Sequence, residues 1–171
     1  MELKLKRCTI RDYRLSDAES LAKRANNRRV WLTLRDRFPH PYTIEDAKNF
    51  LERATAEKEQ EKFYCIDIGG AAAGGIGFRP GEDVYRYSAE FGYWLAEEFW
   101  GQGIMSEAVA TFVDYCFANF PLNRIFASVY ANNPASARVL EKAGFVFEGR
   151  LRNNVIKDGQ ILDSLLYAKT K

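Results

Sequence analysis

SAEFGYWLAEEFWGQGIMSEA, residues 88–108, passes from a strand pattern through a glycine turn into the start of an apolar-faced helix. Residues 88–95 alternate in the manner of a strand, the helix runs from Ile104 to Phe120, and RIFASVY at 124–130 reads as the next strand. A strand-helix-strand crossover within one sheet makes its two strands parallel and right-handed, and it puts the glycine turn at the carboxyl end of the first strand. A site is expected at that end.

Working toward the N-terminus, FYCIDI at 63–68 and AAAGGIGF at 71–78 read as an antiparallel pair joined by the Gly69-Gly70 turn. A charged helix over 44–60 precedes them, capped by Thr43 with Asp46 at the capping-box position. Trp31 to Tyr42, with two prolines and several aromatics, reads as a structured loop. Residues 3–10 read as one first strand, followed by a helix that starts at Ser16-Asp17. Toward the C-terminus, Asn133-Pro134 opens a short helix that Gly144 closes, and the remainder folds as a hairpin around Lys157-Asp158-Gly159. The expected fold is mixed α/β: a mostly antiparallel central sheet with one parallel strand pair, flanked by helices. At 171 residues it forms one domain, 1–171.

Twenty-five basic and 23 acidic residues are scattered along the chain, so no block supplies the positive field that direct nucleic-acid binding needs. No stretch approaches the ~20 apolar residues of a membrane span, and the N-terminus has no apolar run behind its charges. The three cysteines, Cys8, Cys65 and Cys116, are widely separated and form no metal-ligand spacing. They read as reduced thiols of a cytoplasmic protein without a metal.

In WGQGIMSEA, 100–108, two glycines precede a helix, where bare backbone N–H groups and the helix dipole favour a phosphate. A plain strand-to-helix turn is the competing reading. A dinucleotide fingerprint fits poorly, since Ser106 stands at the third glycine position and the next strand ends in VYANN with no acid for a ribose. A nucleoside-triphosphate loop fails because G-K-[ST] is missing.

GYWLAEEFWGQGIMSEA, followed some 30 residues later by NNPASARVLEKAGFVFEG, resembles the GNAT N-acetyltransferases, particularly their RimJ/RimL-type branch. The likeness runs from about residue 8 to residue 169. It implies acetyl-CoA as co-substrate, bound at Trp100, Gly101, Gln102, Gly103, Ile104, Met105 and Ser106. Two positions depart from the family's R/Q-x-x-G-x-G/A: Trp100 replaces Arg or Gln, and Met105 stands where Gly or Ala is expected and crowds the turn. The resemblance also places the pantetheine arm along Trp94 and Leu95 as an added strand.

No residue is built as a covalent nucleophile, which fits direct attack by an amine. Glu90 is the candidate base: its strand neighbours suggest burial on both faces, where an unpaired carboxylate is costly. A structural partner for Arg79 or Arg86 is the other reading of that glutamate. Asn133 and Ser136 share a face of the first helical turn. The resemblance gives Asn133 to the co-substrate and Ser136 to the leaving sulfur, while helix capping explains both residues without any ligand. The tyrosine that many GNAT enzymes carry one turn later is Leu140 here. His40, the single histidine, reads as a loop residue between prolines, and Trp31, Phe38 and Tyr42 either line an acceptor pocket or pack that loop. Arg152 and Asp163 read as a structural pair across the terminal hairpin.

A protein α-amine, pKa ~8, is partly neutral near pH 7.5, whereas a lysine amine at ~10.4 is rarely so. A lone glutamate suits the weaker base. The acceptor expected is therefore a protein N-terminus; a small-molecule amine (amino acid, polyamine or aminoglycoside) and a non-catalytic CoA-binding module are the alternatives. Monomer and homodimer both fit the sequence.

Overall fold

The computed structural model describes residues 1–56 and 61–171. Its strands are β1 (Glu2–Lys4), β2 (Thr9–Asp12), β3 (Lys62–Ile68), β4 (Ala71–Pro80), β5 (Ser88–Leu95), β6 (Arg124–Tyr130), β7 (Val146–Lys157) and β8 (Gln160–Thr170). Its helices are α1 (Ala18–Ala25), α2 (Arg28–Trp31), α3 (Ile44–Ala54), α4 (Ile104–Asn119) and α5 (Pro134–Lys142). The strands are ordered β1-β2-β3-β4-β5-β6-β8-β7 in a mostly antiparallel sheet. The expected parallel step is β5 against β6, in register Ser88↔Arg124 to Glu90↔Phe126. The chain divides into two interleaved units, Met1–Phe78 with Gly92–Ile104, and Arg79–Phe91 with Met105–Lys171.

In the first unit, residues 3–10 do not form the single strand expected. The Leu5 N–H donates to the Cys8 carbonyl at 2.9 Å, and this turn separates β1 from β2, which then pair antiparallel. Alternation falters there, at the adjacent polar residues Lys6 and Arg7, but no glycine or proline marks the turn. The β3–β4 hairpin forms as expected, with Gly69 and Gly70 both at positive φ. Thr43 and Asp46 complete the reciprocal cap of α3. That helix stops at Ala54, short of the expected 44–60, and residues 57–60 lie outside the described residues.

Tyr13, Leu21, Ala47, Leu51 and Cys65 centre the apolar core of this unit, with Phe38, Phe50, Phe63 and Trp94 packed against them. Beside it, the Arg11 guanidinium grips both carboxylate oxygens of Asp17 at 2.7 and 2.8 Å and donates to Asp67 at 2.7 Å. Burial works to raise the pKa of Asp17, but the Arg11 hydrogen bonds and the Arg14 backbone N–H outweigh it and hold the carboxyl below its ordinary value.

In the second unit, α4 buries Ala108, Val109, Phe112, Val113 and Cys116, the recurring three- and four-residue spacing of one helical face. Phe112 and Phe145 both stack on Phe91, each with ring centroids 6.1 Å apart. β8 pairs on one side with β6 and on the other with β7. The β7–β8 turn uses Asp158 and Gly159, both at positive φ, as a two-residue hairpin turn requires. Gly144, also at positive φ, follows the end of α5 as expected.

Candidate functional site

The sequence-predicted site residues fall on both units. Trp94, Leu95, Trp100, Gly101, Gln102, Gly103 and Ile104 belong to the first; Glu90, Met105, Ser106, Asn133 and Ser136 belong to the second.

In the first unit, β5 ends at Leu95 and a single 3-10 turn, Glu97–Phe99, leads to the glycines. Gly101 and Gly103 lie at φ +73° and +77°, the left-handed region that favours glycine, so the backbone of this turn requires glycine at both positions. A Cβ on Gly101 would meet nothing within 4 Å, which leaves its face of the turn open. Ile104 then begins α4, whose first N–H groups have no partner within the helix. Open backbone donors at a helix start suit a phosphate.

The side chains of the turn point elsewhere. The Trp100 indole N–H donates to the Leu95 carbonyl at 2.8 Å, and the Arg29 guanidinium sits 5.4 Å from the Trp100 ring centroid. The Gln102 amide donates back to the Glu98 carbonyl at 3.0 Å. Arg29 in turn pairs with Glu97, and Arg24 with Glu98. Any anion on this turn is therefore met by backbone N–H groups, not by Trp100 or Gln102.

Trp94 turns its ring to the core, edge-on to Phe38 at 5.4 Å. Close packing explains the glycines of β4: a Cβ on Gly74 would stand 2.4 Å from the Trp94 carbonyl oxygen, and one on Gly75 would stand 2.6 Å from the Tyr13 hydroxyl. That hydroxyl donates to the Gly74 carbonyl, and burial drives its pKa well above the ordinary value, so Tyr13 stays protonated at neutral pH.

In the second unit, β5 does not bury both faces as the sequence suggested. Ala89 and Phe91 are buried while Ser88 and Glu90 are half-buried, because period-two alternation holds here despite the apolar neighbours of Glu90. Arg86 is engaged with the Asp83 carbonyl and lies over the Tyr87 ring. Asn133 caps α5 and accepts from the Ser136 N–H at 3.3 Å, so the two residues meet in one turn. Ser136 is half-buried, and Leu140, one turn on, is fully buried. Met105 is buried and Ser106 half-buried. The methionine side chain is taken up by packing.

The remaining candidates make contacts within their own parts of the chain. His40 stacks on Trp31 with centroids 5.8 Å apart, and Phe38 packs on Tyr42 at 4.8 Å. Asp163 forms its ion pair with Arg150 and accepts from the Asn153 N–H at 2.8 Å, while Arg152 acts on it through its charge alone. Asn153 lies at φ +51° next to a register shift of β7, which changes which arginine reaches across. Cys8, Cys65 and Cys116 are buried and form no disulfide, and burial pushes the thiols of Cys65 and Cys116 up to about 12. Among the described residues, no cluster of metal-ligating side chains occurs and no helix is long and apolar enough to cross a membrane.

Residues 7–146 match the family described as the acetyltransferase (GNAT) domain. YjcK of Bacillus subtilis, a probable N-acetyltransferase, is 35% identical over 163 residues, covering 92% of this chain and 90% of its own. The chain spans only about half the length, 55%, of two other Bacillus subtilis relatives at 34% and 39% identity. Among solved structures, Mycobacterium smegmatis RimJ in complex with CoA-disulfide superposes with a TM-score of 0.83 at 28% identity, covering 95% of this chain and 81% of that one. RimL, a ribosomal L7/L12 alpha-N-protein acetyltransferase in complex with coenzyme A, gives a TM-score of 0.89 at 22% identity over 99% and 98% of the two chains.

Proposed function

Since the chain belongs to the GNAT acetyltransferase family, we propose that it is an acetyl-CoA-dependent N-acetyltransferase, a single domain over 1–171, acting in the cytoplasm on a protein N-terminal α-amine. The observation that carries the co-substrate is the 100–104 turn: two left-handed glycines, side chains turned away, and helix N–H groups at its end. RimJ and RimL, each held in complex with a form of coenzyme A, support the same reading. The α-amine acceptor is supported by what RimL acts on and by the acid–base equipment of this chain.

In the proposed reaction the neutral amine forms a C–N bond with the acetyl carbonyl carbon and the C–S bond breaks. Glu90 takes the proton shed by the nitrogen, through a water. Ser136 hydrogen-bonds the departing sulfur and passes it a proton that water replaces on the serine, while Glu90 returns the amine's proton to water, so that CoA leaves as the thiol and one proton has moved from nitrogen to sulfur overall. Asn133 holds the first turn of α5 so that the Ser136 hydroxyl is presented, and it contacts the co-substrate. The backbone of 101–104, with Ser106, takes the pyrophosphate. Trp94 and Leu95 offer main chain to the pantetheine arm, and the Leu95 carbonyl, already accepting from Trp100, keeps one lone pair for it.

The buried cysteines argue for direct transfer. A thiol held near pKa 12 is almost wholly protonated at neutral pH and makes a poor acyl acceptor. The test is release of CoA thiol from acetyl-CoA with N-terminal peptides, lysine peptides and small amines, on the wild type and Ser136→Ala. Peptide-dependent release that falls about tenfold or more in the variant is expected. Release with lysine side chains or polyamines alone would refute the acceptor; tight binding without any release would leave a CoA-binding module.

A further inference from the structure

Resting on the acetyl-CoA reading above, we propose that Arg7, on the β1–β2 turn, is the cation that holds the pyrophosphate at the glycine turn. One guanidinium nitrogen, Nη1, lies 3.3 Å from where a Cβ of Gly103 would stand. The absent side chain is what lets the two segments come so near. Arg7 is exposed, and its side chain forms no ion pair or hydrogen bond with another described residue.

That placement is unfavourable without an anion. The N-terminus of α4 carries partial positive charge, and a guanidinium beside it is repelled. The neighbouring charges do not compensate: Glu97 is taken by Arg29, and Glu98 by Arg24, which also donates to the Ala72 carbonyl. Of the arginines around this turn, Arg24 and Arg29 have carboxylates and Arg7 has none among the described residues. A diphosphate seated on the 101–104 backbone turns the repulsion into attraction, because its negative charge lies between the dipole and the guanidinium. The planar fork of arginine also suits two phosphate oxygens at once.

The turn between β1 and β2 is built to hold this residue. The Leu5 N–H to Cys8 carbonyl hydrogen bond closes the turn, Cys8 is buried, and β2 is anchored by its pairing with β3. Arg7 therefore projects from a fixed base. Trp100 and Gln102 are neutral and each donates to a carbonyl of the protein, so Arg7, and neither of them, brings positive charge to Gly103.

The experiment compares the wild type, Arg7→Ala and Arg7→Lys with three acetyl donors: acetyl-CoA, its 3'-dephospho form, and acetylpantetheine, which lacks the pyrophosphate. Expected for Arg7→Ala is a rise of about tenfold in KM for both nucleotide donors with kcat little changed, so that the preference for acetyl-CoA over acetylpantetheine falls about tenfold. Arg7→Lys, keeping the charge but losing the fork, recovers part of it. Equal losses on acetylpantetheine would overturn the proposal in favour of a structural role. A penalty confined to acetyl-CoA and absent with the 3'-dephospho donor would overturn the pyrophosphate assignment. No change at all would also overturn it, provided that the wild type turns over acetyl-CoA. A wild type that binds no acetyl-CoA would bring down the parent reading, and this one with it.

Discussion

Two carboxylates carry opposite burdens at the scale of single residues. Glu90 is half-buried on β5, and its proposed work depends on how firmly the acceptor holds its proton. Glu90→Gln is expected to cost about tenfold with an α-amine acceptor and about a hundredfold with a lysine amine, measured as kcat/KM at pH 7.5. Equal losses would mean that Glu90 does not act on the acceptor's proton. Asp17, by contrast, is held by Arg11 and belongs to stability. Its folded pKa lies below the unfolded value of ~3.9, so the unfolded chain binds the proton first as pH falls. The stabilisation is complete above that value and is lost as pH drops through the folded pKa. Asp17→Asn, which leaves a buried guanidinium short of a partner, should lower stability at pH 7 by about 3–5 kcal/mol. It should also flatten the acid limb of Tm against pH below about 4; an unchanged acid limb would assign acid sensitivity to other groups. Of these residues, Glu90 was legible in the sequence as a carboxylate in an apolar strand, but its half exposure was not, because register decides which face it takes. Arg7 left no signal of its own: it looks like one more basic residue in LKLKRC, and only the fold brings it to Gly103.

At the scale of elements, turn and cap chemistry proved the readable part. Gly69-Gly70, Asp158-Gly159, the Thr43–Asp46 box and Asn133-Pro134 each fix local backbone with local atoms, so each appears where the sequence places it. The early end of α3 and the break between β1 and β2 were not legible, since no glycine or proline marks either. The glycines inside β4 belong to a third kind, where the cause is a distant neighbour. Gly74→Ala would push a methyl to 2.4 Å from the Trp94 carbonyl oxygen, and a backbone atom yields only by moving its strand. The expected cost is about 1–3 kcal/mol in a denaturant titration. Gly149→Ala, with nothing within 4 Å and no positive φ, should change stability by less than about 0.5 kcal/mol. Similar losses at both positions would show that strand flexibility, not close approach, is what the glycine of β4 provides.

The strand-helix-strand crossover of 88–130 made the architecture of the whole molecule legible, because it dictates a parallel pair within a sheet otherwise built of antiparallel hairpins. The acceptor was not legible, since nothing in the chemistry of Trp31 to Tyr42 sets loop packing apart from ligand contact, and here Phe38 and Tyr42 pack. The cysteines make a prediction that belongs to the chain as a unit. All three are buried, so a disulfide reagent of the Ellman type should register no fast-reacting thiol in the native protein and three in guanidinium chloride. One rapid equivalent in the folded state would contradict the burial of Cys8, Cys65 or Cys116. Native thiols that stay out of reach also leave the surface open to site-selective conjugation. Leu15, 63% exposed, could be changed to cysteine to carry a fluorophore or a tether to a resin as the sole addressable handle. No natural cysteine would first have to be removed, so the packing around Cys65 and Cys116 would survive the labelling intact.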